Sequence, residues 1–106
     1  MTEITRISPQ YAWEETRSGR AKLVCAYGDE SKCTNLLLEG SISWPSFRNH
    51  LDNIDSNQEI ILYCNWPQEN TSAGLAKRLM DEGYQNVKVI EGGVKAWQDA
   101  GFPMQS

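Results

Sequence analysis

The feature that most constrains the fold is the unbroken apolar run Ile60-Ile61-Leu62-Tyr63. A strand with water on one face alternates apolar and polar residues, whereas a continuous apolar run predicts a strand that is covered on both faces. Such strands occur almost only in parallel sheets that lie between two layers of helices. We therefore predict an α/β fold in which this run is a central strand, and the strand ends at Cys64.

Other segments alternate between strand and helix patterns. Ser8-Pro9 is typical of a helix start, and a further helix is predicted to begin at Pro45-Ser46 and to carry Phe47, Leu51 and Ile54 on one side. Strands are predicted near residues 4–7, 22–27, 41–44 and 87–90, and helices near 10–18, 71–82 and 94–100, with a loop and short helix over 28–40. This alternation predicts a mainly parallel central sheet of about five strands flanked by helices.

Length and charge limit the classes of protein that this chain can belong to. With 106 residues, the chain is predicted to form a single domain spanning residues 1–106. Ten Lys and Arg against 14 Asp and Glu give a net charge of -4, and no basic stripe occurs. Nucleic acid and anionic membrane are therefore not expected partners. No signal peptide or membrane-spanning segment is expected either.

The cysteine pattern bears on the compartment and on metal binding. Cys25, Cys33 and Cys64 are an odd number without close pairing, which favours a reducing, cytoplasmic location over a secreted disulfide scaffold. Cys25 lies in an apolar run and is expected to be buried, whereas Cys33 lies in a polar stretch and is expected to be exposed. His50 is the single histidine and no Cys-x-x-Cys pair occurs, so no metal site is expected.

Cys64 is the candidate nucleophile because ligands of open α/β sheets bind beyond the carboxyl ends of the strands. The loop after Cys64 offers backbone N–H groups, and the helix that opens near Thr71 adds the positive end of its dipole. Both stabilise a thiolate, and we expect the sulfur to be accessible and reactive. The alternative is that Cys64 is a small apolar residue at a strand end. Spacing alone does not choose between these two interpretations.

Several motifs at defined spacing resemble the second half of single-domain rhodanese-like proteins: residues 60–64, Thr71-Ser72-Ala73-Gly74-Leu75-Ala76 and Gly83-Tyr84-Gln85-Asn86-Val87. Glu91-Gly92-Gly93-Val94-Lys95-Ala96-Trp97, followed by Ala100-Gly101-Phe102-Pro103, is similar to the closing signature of that family. The resemblance implies a three-layer rhodanese-like domain that needs no cofactor. It also implies a sulfurtransferase that carries sulfane sulfur as a persulfide on Cys64. A small-molecule or protein-bound donor would supply this sulfur, and a thiol or other nucleophile would accept it.

The active loop departs from the usual family pattern of a cysteine, four residues and an arginine. Six residues separate Cys64 from Thr71, and none of them is Arg or Lys. Glu69 adds a negative charge that opposes a dianion such as thiosulfate, or it caps the following helix; Trp66 is either a lid over the sulfur or a packed anchor. The predicted substrate-binding residues are Asn65, Trp66, Pro67, Gln68, Glu69, Asn70, Thr71 and Ser72.

Two other functions are compatible with this scaffold. The loss of the arginine favours a binding or regulatory module that recruits a protein partner, whereas the presence of Cys64 favours the enzyme. A cysteine phosphatase or arsenate reductase is the third alternative. It is disfavoured because these enzymes use the arginine to hold the oxyanion of the transition state.

Overall fold

The computed structural model describes residues 4–27, 33, 37–64 and 69–104, and for residues 69–71 only the backbone. Its centre is a five-stranded sheet in which every pair of neighbouring strands is parallel. The strands lie in the order β1-β5-β4-β2-β3. They are β1 (Thr5–Ile7), β2 (Ala21–Cys25), β3 (Ser41–Ser43), β4 (Glu59–Tyr63) and β5 (Val87–Ile90).

Helices cover both faces of the sheet. They are α1 (Pro9–Arg17), α2 (Trp44–Arg48), α3 (Glu69–Asp81) and α4 (Gly93–Asp99), with a 3₁₀ helix at Leu51–Asn53. One face packs against α1 and α4 through a cluster that includes Ala12, Ile61 and Trp97. The other face packs against α2 and α3 through a cluster that includes Phe47, Leu62 and Leu79. The predicted α/β class and the helix-flanked parallel sheet are confirmed.

Strand β4 is the middle of the sheet, and all five of its residues are buried. Ile61 and Tyr63 contribute to one apolar cluster and Ile60 and Leu62 to the other, as the period of two in a strand requires. This explains why the run Ile60 to Tyr63 contains no polar residue. The prediction of a central strand that ends at Cys64 is confirmed.

Local signals set the ends of helix α1. Ser8 is the N-cap and its hydroxyl accepts a hydrogen bond from the N–H of Tyr11 at 3.1 Å, while Pro9 occupies the first helical position. Gly19 follows the helix with φ +82°, a conformation that glycine adopts without strain. The predicted start and stop of this helix are confirmed.

Two helix boundaries differ from the prediction. Helix α2 ends at Arg48, and Leu51 to Asn53 form a separate 3₁₀ helix, because the chain continues with i→i−3 hydrogen bonds such as that from the N–H of Ile54 to the carbonyl of Leu51. A spacing of three residues suits both helix types, so the apolar pattern did not distinguish them. Helix α3 begins at Glu69, two residues before the predicted start. The apolar periodicity did not reveal these residues, because the first turn is polar.

Parts of the prediction fall outside the described residues. The loop and short helix expected over 28–40 lie there except for Cys33 and residues 37–40. Among the residues that the structure does describe, no helix is long and apolar enough to cross a membrane.

Candidate active site

Cys64 follows directly after β4, at the carboxyl end of the central strand. Its carbonyl accepts a hydrogen bond from the N–H of Val94 at 3.1 Å, and the carbonyl of Tyr63 accepts one from the N–H of Ala26 at 2.8 Å. The backbone at this position is therefore held on one side by the chain after β2 and on the other by the start of α4.

The sulfur of Cys64 lies against Ser72 in helix α3. The two atoms Sγ and Oγ are 3.4 Å apart, and both side chains are buried. Ser72 is the fourth residue of a 13-residue helix, so this contact brings the amino end of α3 next to the sulfur. The positive end of the helix dipole favours an anion at Sγ, and the Ser72 hydroxyl, which can donate or accept in this contact, can donate to such an anion. The arrangement suits a thiolate or a persulfide.

Cys64 is only 1% exposed, which contradicts the expectation of an accessible sulfur. The contact with Ser72 and the bond to Val94 explain this, because α3 and the start of α4 cover the end of β4 on two sides. Position at a strand end therefore did not predict exposure here.

The predicted site residues divide into three groups. Cys64 and Ser72 are brought into contact. Glu69, Asn70 and Thr71 belong to the first turn of α3 rather than to a loop, which corrects the prediction that the helix starts at Thr71. The remaining predicted residues, Asn65, Trp66, Pro67 and Gln68, lie outside the part of the chain that the structure describes.

The turn before α4 contributes to the site in a way that the sequence analysis did not predict. Gly92 has φ +81° and is the N-cap of α4, and a Cβ on it would lie 2.7 Å from the Cβ of Ala96. Only glycine fits this conformation and this close approach. The turn presents the N–H of Val94 to the Cys64 carbonyl. The motif Glu91-Gly92-Gly93 is the sequence signal for this turn.

Tyr63 anchors the opposite side of the strand end. Its hydroxyl lies 2.9 Å from the hydroxyl of Ser41 and accepts a hydrogen bond from the N–H of Leu38 at 3.2 Å. Burial raises the pKa of the Tyr63 phenol, and the bonds from Ser41 and Leu38 offset this only in part. The residue before Cys64 is thus fixed by a buried polar network.

The cysteines other than Cys64 correct two expectations. Cys25 is buried, as expected, but Cys33 is also buried, with no exposed surface, and is not an exposed bystander. The two form a disulfide, so the expectation that the cysteines lack close pairing is wrong. The apolar cluster that holds Cys33 could not be read from the polar residues next to it in sequence. With this disulfide present, the cysteine pattern does not favour a reducing compartment.

The described residues contain no group of three or more His, Cys, Asp or Glu side chains placed to hold a metal ion.

Comparison with protein families adds an independent finding. Residues 32–100 match the family model described as the rhodanese-like domain. The chain belongs to the rhodanese-like family. The match includes β3, β4, β5 and the candidate nucleophile, so the resemblance in the sequence motifs is confirmed.

Curated relatives and solved structures are also similar to this rhodanese-like domain. The thiosulfate sulfurtransferase GlpE of Actinobacillus succinogenes is 28% identical over 96% of this chain and 91% of the relative. The solution structure of a rhodanese-like domain from Anabaena aligns with TM-score 0.77 and 15% identity, over 100% of this chain and 80% of that one. The 3-mercaptopyruvate sulfotransferase SseA of Escherichia coli aligns with TM-score 0.76 and 11% identity, over 98% of this chain and 51% of that one.

Proposed function

We propose that the domain is a sulfurtransferase that carries sulfane sulfur as a persulfide on Cys64. The observation that carries this proposal is the position of the Cys64 sulfur, 3.4 Å from the hydroxyl of Ser72 and beside the amino end of α3. That environment favours a sulfur anion. Relatives named as thiosulfate sulfurtransferases support the same class of reaction.

The reaction has two transfers of one sulfur atom. The Cys64 thiolate attacks the outer sulfur of the donor, a new S–S bond forms, and the rest of the donor leaves with the electron pair of the broken bond. An acceptor thiolate or other nucleophile then attacks that outer sulfur, and Cys64 leaves as a thiolate. No net oxidation of the protein occurs, and no cofactor is required for either step.

Ser72 is proposed to donate a hydrogen bond to the anionic sulfur in both steps. Charge-assisted hydrogen bonds are stronger than neutral ones, so its loss should slow the loading of Cys64 by roughly tenfold. We expect this roughly tenfold decrease for Ser72→Ala, measured as the rate of persulfide formation. Ser18→Ala serves as the control, because it removes a hydroxyl that donates to the Glu15 carbonyl at the end of α1.

The donor is proposed to be a small-molecule or protein-bound persulfide rather than the thiosulfate dianion. Residues 65–70 contain no Arg or Lys, and Glu69 brings a negative charge to the first turn of α3. A thiosulfate dianion therefore lacks a cationic side chain from this segment and meets a like charge. The acceptor is proposed to be a thiol or another nucleophile.

Intact mass spectrometry tests the proposal directly. The reduced protein is incubated with thiosulfate, inorganic polysulfide or a small persulfide, and we expect a gain of one sulfur atom that reductant removes. Cys64→Ser should abolish the gain with every donor. If neither the natural protein nor the loop variants described next gain sulfur from any of them, the enzyme proposal fails and a binding module is the better account.

Variants that change the charge of the active loop test whether electrostatic repulsion makes thiosulfate a poor donor. Glu69→Gln should raise the rate of thiosulfate turnover, and the gain should shrink as salt is added, since ionic repulsion at ordinary ionic strength is screened over about 8–10 Å. Thr71→Arg introduces a cation near the place where the family carries one and should act in the same direction. A faster thiosulfate reaction with no dependence on salt would contradict the electrostatic explanation.

A further inference from the structure

Two cysteines that the proposed reaction does not use form a disulfide, Cys25–Cys33. They are eight residues apart in sequence, and neither has any exposed surface. Cys25 is the last residue of β2. The bond therefore ties the end of a core strand to a position in the chain that follows it.

The disulfide and the candidate nucleophile belong to opposite faces of the sheet. Cys25 pairs in register with Tyr63, and both contribute to the apolar cluster beneath α1 and α4. The Cys64 sulfur instead contacts Ser72 in α3, which covers the other face. The sheet thus separates the disulfide from the Cys64 sulfur, and the pairing of Cys25 with Cys33 does not involve the candidate active site.

We propose that Cys25 and Cys33 form a reversible redox clip that sets the stability of the domain. In the oxidised form, the two thiols have lost two protons and two electrons, and an S–S bond joins them. A low-molecular-weight disulfide is the oxidant: two exchange steps release it as two thiols and leave the protein disulfide. This proposal rests on the disulfide between Cys25 and Cys33 and does not depend on the proposed sulfurtransferase activity.

The physical effect of the clip is a constraint on the unfolded chain. Closing a loop of this length lowers the entropy of the unfolded state, and for a domain of this size the oxidised form should melt about 10 °C above the reduced form. The bond starts at the end of β2, and the next residue, Ala26, donates a hydrogen bond to the Tyr63 carbonyl. Oxidation should therefore also stabilise the carboxyl ends of β2 and β4, where Cys64 lies.

Refolding in defined redox buffers tests the clip without requiring that solvent reach the buried sulfurs. The Cys64→Ser variant retains only the two clip cysteines, and it is unfolded with reductant and refolded with glutathione disulfide or with dithiothreitol. We expect no free thiol and no glutathione adduct after the first treatment, and two free thiols after the second. The thermal midpoint should be about 10 °C higher in the oxidised sample.

Two further proteins complete the experiment. Cys33→Ala should melt at the same temperature in both buffers, and the natural protein refolded with glutathione disulfide should yield a peptide linking Cys25 to Cys33 after proteolysis. Two free thiols in oxidised Cys64→Ser, equal midpoints in the two buffers, or a linked peptide that contains Cys64 would each overturn the proposal. If Cys33→Ala does not fold, the two forms of Cys64→Ser still give the comparison, because their sequence is identical.

Discussion

At the scale of single residues, Tyr63 shows how one buried phenol couples stability to pH. Burial raises the pKa of its hydroxyl, so the folded protein retains a proton that the unfolded chain loses at lower pH. The resulting stabilisation is complete below the ordinary tyrosine pKa of about 10 and is lost as the pH rises through the higher pKa of the folded state. The free energy of unfolding should therefore fall as the pH rises above about 10.

Tyr63→Phe should make that alkaline loss less steep. At neutral pH the same variant should lose about 1–2 kcal/mol, because the Leu38 N–H and the Ser41 hydroxyl lose a buried partner. Urea denaturation at several pH values measures both effects. Tyr84→Phe is the control: it removes a phenol that donates to the Leu51 carbonyl, retains Tyr63, and should retain the steep alkaline loss. Equal slopes for the natural protein and Tyr63→Phe would contradict this assignment.

At the scale of elements, a charged cluster joins α1, β4 and β5 at the end of the sheet away from Cys64. Glu59 is only 5% exposed; its carboxylate accepts a hydrogen bond from the Tyr11 hydroxyl at 2.7 Å and forms an ion pair with Lys88. Burial acts to lower the pKa of Lys88, but the bonds to Glu59 and Tyr11 outweigh it and hold that pKa above its usual value. A buried carboxylate is thus compensated by a partner 29 residues away in sequence.

Removing one partner of this ion pair should cost more stability than removing both partners. We expect Glu59→Gln to lose about 1–3 kcal/mol, because Lys88 keeps its charge without its main partner, and Lys88→Met to lose more, since Glu59 is the more buried ion. The double variant should lose less than the sum of the two. Denaturation of all four proteins gives the coupling energy. Lys95→Met breaks an exposed pair with Asp99 and should change stability by less than about 1 kcal/mol.

Two glycines with different surroundings test the turn before α4. Gly92→Ala should destabilise the domain by about 1–3 kcal/mol, because φ is +81° and the new Cβ meets Ala96. Gly74→Ala should stabilise it by about 0.5–1 kcal/mol, since Gly74 lies inside α3 with open space around it. Thermal melts of both variants measure the difference. A change in stability of the same sign for both would show that a side chain at position 92 causes no strain in the turn.

At the scale of the whole molecule, the sheet order predicts a gradient of local stability. Strand β4 is central and fully buried, whereas β1 lies at one edge and exposes two of its three residues. Amide hydrogen exchange should therefore be slowest in β4 and faster in β1 and β3, because opening an edge strand breaks fewer contacts. Exchange in β4 as fast as in β1 would contradict this. The measurement resolves single amides and needs no variant.

The features that the sequence determined by itself are those with a local signature. The apolar run Ile60 to Tyr63 is typical of a strand buried on both faces, and such a strand places Cys64 at the carboxyl end of a parallel sheet. Ser8-Pro9 determined the start of α1, and the glycine turn determined the start of α4, because caps and positive φ depend on a few adjacent residues.

Tertiary structure decided the contacts that join distant positions. The disulfide between Cys25 and Cys33, the pairing of Glu59 with Lys88 and the burial of Cys64 leave no periodic trace, because each depends on how strands align and on which helix covers their ends. The polar neighbours of Cys33 predicted exposure, but the apolar cluster under α1 and α4 buries it. Periodicity reports which face of an element is apolar, whereas packing alone determines which distant side chains meet.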